Sequence, residues 1–176
     1  ASEPAEEFGG NVVYDGNNGT INGDLLVAGD YTTVSNVQVI GSLTVAESVA
    51  NDFKSVNVSV KGTTYIKGGS PNTILSVGDR LSLLRLMKPN VRYIADGSTV
   101  EQADVDSDNI KLESRGQSQF GTINVNGRGA SIGGSGRIGI LNVNAPGTTV
   151  LDLEHEPGET HVVDGAKVEG KPGAAG

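Results

Sequence analysis

Along most of the chain, apolar and polar residues alternate one for one. Val56, Val58 and Val60, Leu43 and Val45, and Leu151 and Leu153 recur at a spacing of two, the period at which side chains of a strand share a face. Each run is short and stops at Gly, Asn, Asp or Pro, residues that accept left-handed or tight-turn backbone. The pattern therefore predicts many short strands with a turn every few residues. The nearest approach to a helix is DRLSLLRLMKPN, where Leu81, Leu84 and Met87 would share a helical face. Leu81/Leu83 and Leu84/Leu86 fit strand alternation better, with Lys88-Pro89-Asn90 as the turn into NVRYIADG, and we read the segment as strand.

The runs repeat. NGDLLVAG at 22–29, IGSLTVAE at 40–47 and KGTTYIKG at 61–68 superpose with Leu25, Leu43 and Thr64 in register, at steps of 18 and 21 residues. TINVNG at 122–127 and ILNVNA at 140–145 repeat each other at a step of 18. A period near 20 in an all-strand chain predicts a solenoid, each coil burying its apolar side chains against the coils before and after it. The expected form is an all-β parallel β-helix with coils of roughly 18–22 residues, two or three short strands to a coil. An antiparallel β-sandwich is the alternative, since it too is built of short strands and turns, but it leaves the constant spacing without a cause.

Composition narrows the picture. Among 176 residues there are 26 Gly, four Tyr, three Phe, one Met and no Trp or Cys, so the core is expected to consist of small aliphatics, with little room for rings inside a narrow coil. The absence of Cys removes disulfides and thiol chemistry. A formal net charge of −8 argues against nucleic acid or an anionic membrane as partner, and no apolar run is long enough to span a bilayer. The opening ASEPAEE and closing EGKPGAAG have linker-like composition. The expected organisation is an N-terminal linker or processed terminus at 1–10, a β-helix domain at 11–166, and a linker or tail at 167–176.

At SVNVSVKGTTYIKGGSPNTI, residues 55–74, the sequence resembles a right-handed parallel β-helix domain of large surface proteins of Gram-positive bacteria, found in chains that also carry S-layer homology or immunoglobulin-like modules. The family pattern is a Gly-Asp-Leu-Val-like strand, a V-x-V-x-G strand, a G-x-L-x-V strand and then V-x-V-x-G-T-T-x-[VI]-x-G-G-x-P-N-[ST]-I. Here these are NGDLLVAG, VSNVQVIG, GSLTVAE and VNVSVKGTTYIKGGSPNTI. The resemblance covers about residues 20–100 and continues to roughly 165 as a looser repeat. One departure is Ser70, where the family has a third glycine before Pro71-Asn72. The resemblance implies a right-handed coil, an extracellular, cell-surface or cell-wall location, and a structural or adhesive role beside neighbouring domains or a cell-wall or extracellular polysaccharide.

Candidate chemistry is sparse. Asp104, Asp106 and Asp108 in DVDSD would suit a calcium ion, but an EF-hand loop needs Gly and Glu where Asn109 and Arg115 stand, so the first expectation is a solvated acidic face. Glu154, His155, Glu156, Glu159 and His161 suggest a metal cluster, yet HEPGETH places Pro and Gly where a zinc helix is required. The glycine-rich GRGASIGGSGRIG is followed by strand-like ILNVNA, which a phosphate-binding loop is not. A polysaccharide lyase is the alternative function, with Arg80, Arg85, Lys88 and Arg92 close enough in sequence to form a basic patch against an acidic glycan. The chain is short and acidic for that role, and the paired threonines 32–33, 63–64 and 148–149 do not form the T-x-T column of an ice-binding solenoid. We expect a non-catalytic module with no catalytic, cofactor or metal residues, whose apolar columns include all three valines of 56–60.

Overall fold

In the computed structural model, which describes residues 6–69 and 74–171, the chain forms a parallel β-solenoid of about nine turns, with no helix among the described residues. The first strands are β1 (Glu6–Phe8), β2 (Val13–Ile21), β3 (Leu25–Val27), β4 (Thr32–Val39), β5 (Leu43–Val45) and β6 (Phe53–Ile66). They are followed by β7 (Ile74–Val77), β8 (Arg80–Leu86), β9 (Arg92–Asp96), β10 (Thr99–Val105), β11 (Lys111–Arg115) and β12 (Gln119–Val125). The last are β13 (Ser131–Gly134), β14 (Arg137–Val143), β15 (Gly147–Leu153), β16 (Glu159–Val162) and β17 (Ala166–Lys171). Every strand pairing among the described residues is parallel, which excludes the antiparallel sandwich.

Each coil has three faces. Leu25, Leu43 and Thr64 stack in register on the first, as their shared motif predicts, and the column continues through Leu84, Ala103, Ile123 and Leu141. The second face stacks Thr32, Phe53, Ile74, Tyr93, Leu112, Ile132 and Leu151. On the third, Ile21, Val39, Val60, Leu81, Val100, Phe120 and Ile138 align. All but two of these side chains are aliphatic or aromatic, and together they form one core that runs the length of the solenoid. With adjacent strands about 4.8 Å apart, nine coils make a body roughly 40 Å long.

The segment 80–86 is strand, with Leu81, Leu84 and Leu86 inward and Leu83 half-buried at the bend between two faces. Other expectations are corrected. Of the three valines in the quoted alternation only Val58 and Val60 enter the core, while Val56 sits half-buried on the outside. Asn57 between them takes a left-handed φ of 56°, and that one residue resets which side chains face inward. The core also holds three rings, Phe53, Tyr93 and Phe120, each no more than 3% exposed. They fit because a neighbouring column is made of small residues, Ser55, Ser76, Ala95 and Ser114. β1 and β17 bring Glu6–Phe8 and Lys167–Lys171 into the ladder, from stretches expected as linker. The Ser70-Pro71-Asn72 turn lies outside the described residues.

Candidate functional site

The corner between the second and third faces is built from residues in the left-handed region, stacked coil upon coil: Asn36, Asn57, Gly78, Gly97 and Gly116, with φ between 54° and 63°. Asn and Gly are the residues that adopt this conformation at least cost. In the earlier coils the asparagines also bond to one another, Asn57 Nδ2 donating to Asn36 Oδ1 at 2.9 Å and Asn36 Nδ2 to Asp15 Oδ1 at 3.2 Å. Hydrogen bonds from Asn17 and Asn36 hold the exposed Asp15 carboxyl below its ordinary range.

Just past this corner the inward column changes character. It begins with Val37 and Val58, then carries Asp79, Ser98 and Ser118, stacked through backbone bonds from Thr99 to Asp79 and from Gln119 to Ser98. Asp79 is 1% exposed. Its Oδ2 accepts hydrogen bonds from the hydroxyls of Ser55 and Ser76, and its Oδ1 from the backbone N–H of Val58 at 2.8 Å. Ser98 Oγ accepts from the Asp79 N–H at 3.0 Å and donates to the Ser76 carbonyl at 2.9 Å. Ser118 Oγ lies within hydrogen-bond reach of the Ala95 and Arg115 carbonyls, and accepts from Ser98 N–H. Burial pushes the Asp79 carboxyl up to about 6, against the pull of Ser55, Ser76 and Val58 toward the charged form. Burial likewise raises the Tyr93 phenol well above its ordinary value, with the Asp79 charge adding to the rise.

Outward from the same face runs a shallow groove. One recess of about 600 Å³ is bounded by Thr99, Gln119, Arg137 and Glu156, with Gly121 and Gly139 in its wall. It adjoins a second of about 370 Å³ at Lys61, Arg80 and Ser82, the two sharing Thr99 and Glu101. The glycines are required by the stacking itself, since a Cβ on Gly139 would lie 2.6 Å from the Gly121 carbonyl oxygen. Arg80, Thr99, Gln119 and Arg137 occupy one outward column, which places the two guanidinium groups roughly 14 Å apart at about 4.8 Å per coil. Both are exposed. The groove thus carries both signs of charge along the solenoid axis, Lys61, Arg80 and Arg137 beside Glu101 and Glu156.

The four basic residues that the lyase alternative would bring into one patch are distributed over the surface. Arg80 faces the groove; Arg85, on the first face, pairs with Asp106 at 2.9 Å; Arg92, on the second, forms a two-pronged pair with Glu113 at 2.8 and 3.1 Å; Lys88 sits at another corner. The Arg92 pair holds the Glu113 carboxyl below its ordinary range. DVDSD acquires a definite arrangement. Asp104 and Asp106 head two parallel ladders, Asn142 Nδ2 donating to Asn124 Oδ1 and Asn124 Nδ2 to Asp104 Oδ1, each at 2.9 Å. Asn144 donates to Asn126 at 3.0 Å, and Asn126 to Asp106 at 2.8 Å. Asp108 accepts from the Arg128 N–H at 2.9 Å.

Residues of LEHEPGETH also separate. Glu154 follows the end of β15, His155 lines a recess with Arg137 and Ser135, Glu156 borders the groove, and His161 pairs with Glu159 at 3.0 Å on the first face. No group of three His, Asp or Glu side chains among the described residues is placed to hold a metal. GRGASIGGSGRIG spans β13 and the start of β14, strand on both sides. No family model, curated protein or solved structure matches this chain. The geometry and the sequence resemblance are therefore what inform its function.

Asp79 and the serine seam have a signature in the sequence that the strand alternation overlooks. N-V-Q-V at 36–39, N-V-S-V at 57–60, G-D-R-L at 78–81 and G-S-T-V at 97–100 form a third repeat series, with a left-handed residue first and two inward residues at its second and fourth positions. Read that way, Asp79 stands where Val37 and Val58 stand, and a buried carboxylate follows.

Proposed function

We propose that the chain is a non-catalytic structural module of an extracellular bacterial protein, a stiff spacer that presents its outer faces to a cell-wall or extracellular polysaccharide or to neighbouring domains. The observation that carries this reading is the continuity of the side-chain ladders with the core. The asparagine ladders and the Arg85–Asp106 and Arg92–Glu113 pairs join successive coils, so polar surface residues reinforce the stacking as the buried columns do. A body held together at every rung resists bending and local opening, the property a spacer needs. The Gram-positive cell-surface setting, with S-layer or immunoglobulin-like neighbours, follows from the resemblance at 55–74.

In this reading Asp104 and Asp106 serve the ladders, Asp108 holds the Arg128 N–H of the next coil, and the module needs no calcium. Its melting temperature is then the same in calcium and in a chelator. The test of the spacer role is a single-molecule distance measurement between dyes on the first and last coils. A stiff spacer gives one narrow distance distribution, and a broad one overturns the proposal. Release of unsaturated products from a polyuronate in the presence of calcium would instead establish the lyase alternative.

A further inference from the structure

Asp79 is the one acidic residue in the buried core of the described solenoid, and its hydrogen-bond partners are Ser55, Ser76 and the Val58 N–H, with no Lys, Arg or His side chain paired to it among the described residues. From β6 it meets Ser55 and the Val58 N–H, from β7 Ser76, from the corner before β10 Ser98, and from β9 the phenol of Tyr93. Arg80, the next residue and the first of β8, is exposed and faces outward. A carboxylate buried without a counter-charge is costly even with three donors. The donors that meet it are mostly hydroxyls, and a hydroxyl can rotate to accept as readily as it donates. Once protonated, the Asp79 O–H can donate to Ser55 or Ser76 without any movement of the backbone, while Ser98 keeps its bonds to the Asp79 N–H and the Ser76 carbonyl.

We propose that Asp79 makes the solenoid proton-responsive: uptake of one proton at this carboxyl tightens the stacking of the middle coils, so the module resists unfolding better in mildly acidic than in neutral surroundings. The sign follows from the direction of the shift. The folded chain holds the proton to about pH 6, whereas an unfolded aspartate releases it near 3.8. The stabilisation is therefore fully present below about pH 4 and is lost as pH rises through 6. The exposed Asp15 and the half-exposed Asp30 and Glu113 have carboxyls shifted the other way, so their contribution is lost only as pH falls below about 5. Between pH 5 and 8 Asp79 acts alone among the shifted carboxyls.

The experiment is urea unfolding of the full chain at pH 5 and pH 8, for the native protein and for Asp79→Asn and Asp79→Ser. The native unfolding constant should rise by about 10-fold between the two pH values, and by no more than about 2-fold in either variant. Serine is included because Ser98 and Ser118 already occupy the same column. A carbon-13 NMR titration of the Asp79 carboxyl in the native protein decides the matter if both variants fail to fold. A midpoint above 5 supports the proposal. A midpoint below 4, or variants that retain the native pH slope, overturns it.

Discussion

Thr64 occupies the first-face column between Leu43 and Leu84. It is 2% exposed, and its Oγ1 has no hydrogen-bond partner among the described residues. A buried hydroxyl without a partner loses its hydration and gains nothing in return, a cost of about 1–3 kcal/mol. Thr64→Val keeps the branched shape that suits a strand and replaces that hydroxyl with a methyl among leucines. Allowing for imperfect repacking, the substitution should stabilise the module by about 1 kcal/mol, which for a chain of this size raises the melting temperature by about 2–4 °C. The assay is urea unfolding with a thermal scan, beside Ser76→Ala as a contrast. Ser76 donates to Asp79 at 2.5 Å, and at pH 8 its loss should destabilise by about 1–3 kcal/mol. Two buried hydroxyls, then, carry opposite signs. Destabilisation of Thr64→Val by 1 kcal/mol or more would mean that Oγ1 has a partner in solution and that the first-face column is not apolar throughout.

Other positions test the remaining features. Val58→Asp places a second carboxylate beside Asp79 in the core and should unfold the module, whereas Ser59→Asp on the outward side should change stability by less than about 0.5 kcal/mol; circular dichroism and melting temperature separate the two. Gly97→Ala puts a side chain at φ 63°, where the Cβ meets nothing within 4 Å, so its cost of about 1 kcal/mol is purely backbone strain, while Gly97→Asn, the residue used at this corner by Asn36 and Asn57, should cost less in the same urea assay. Asn124→Asp removes an amide donor and sets a carboxylate against Asp104, a loss of about 1 kcal/mol at pH 7 that the same urea assay reads, while Asn124→Gln, which keeps an amide, should lose less.

Much of the solenoid is legible in the sequence because its first face repeats without interruption. Leu25, Leu43 and Thr64, and later Ile123 and Leu141, follow a motif whose register the strand pairings reproduce. The third face is harder to read, for a physical reason. A left-handed residue between two strands shifts the inward parity by one, and Asn57 sits inside what reads as an unbroken V-x-V-x-V run, so Val56 is placed inward when it lies outside. The same shift hides Asp79: a carboxylate after Gly78 and before Arg80 reads as turn surface. DVDSD is similarly ambiguous, because carboxylates that head asparagine ladders and carboxylates that bind a cation have the same local sequence. Only the residues 18 and 20 positions further on, Asn142 over Asn124 and Asn124 over Asp104, distinguish the two.

The central claim is that successive coils stack in one parallel register from end to end, and the absence of cysteine makes it directly measurable. Thr99 and Gln119 are neighbours on adjacent coils, as are Asn124 and Asn142, at a separation a disulfide can bridge. Double substitution of either pair to cysteine should give rapid, nearly complete intramolecular oxidation with the fold and its melting temperature retained or raised. The pair Gln102 and Gln119, closer in sequence but three residues out of register, should remain reduced under the same conditions. Equal oxidation of the registered and unregistered pairs, or none in the registered ones, would contradict the stacked-coil account.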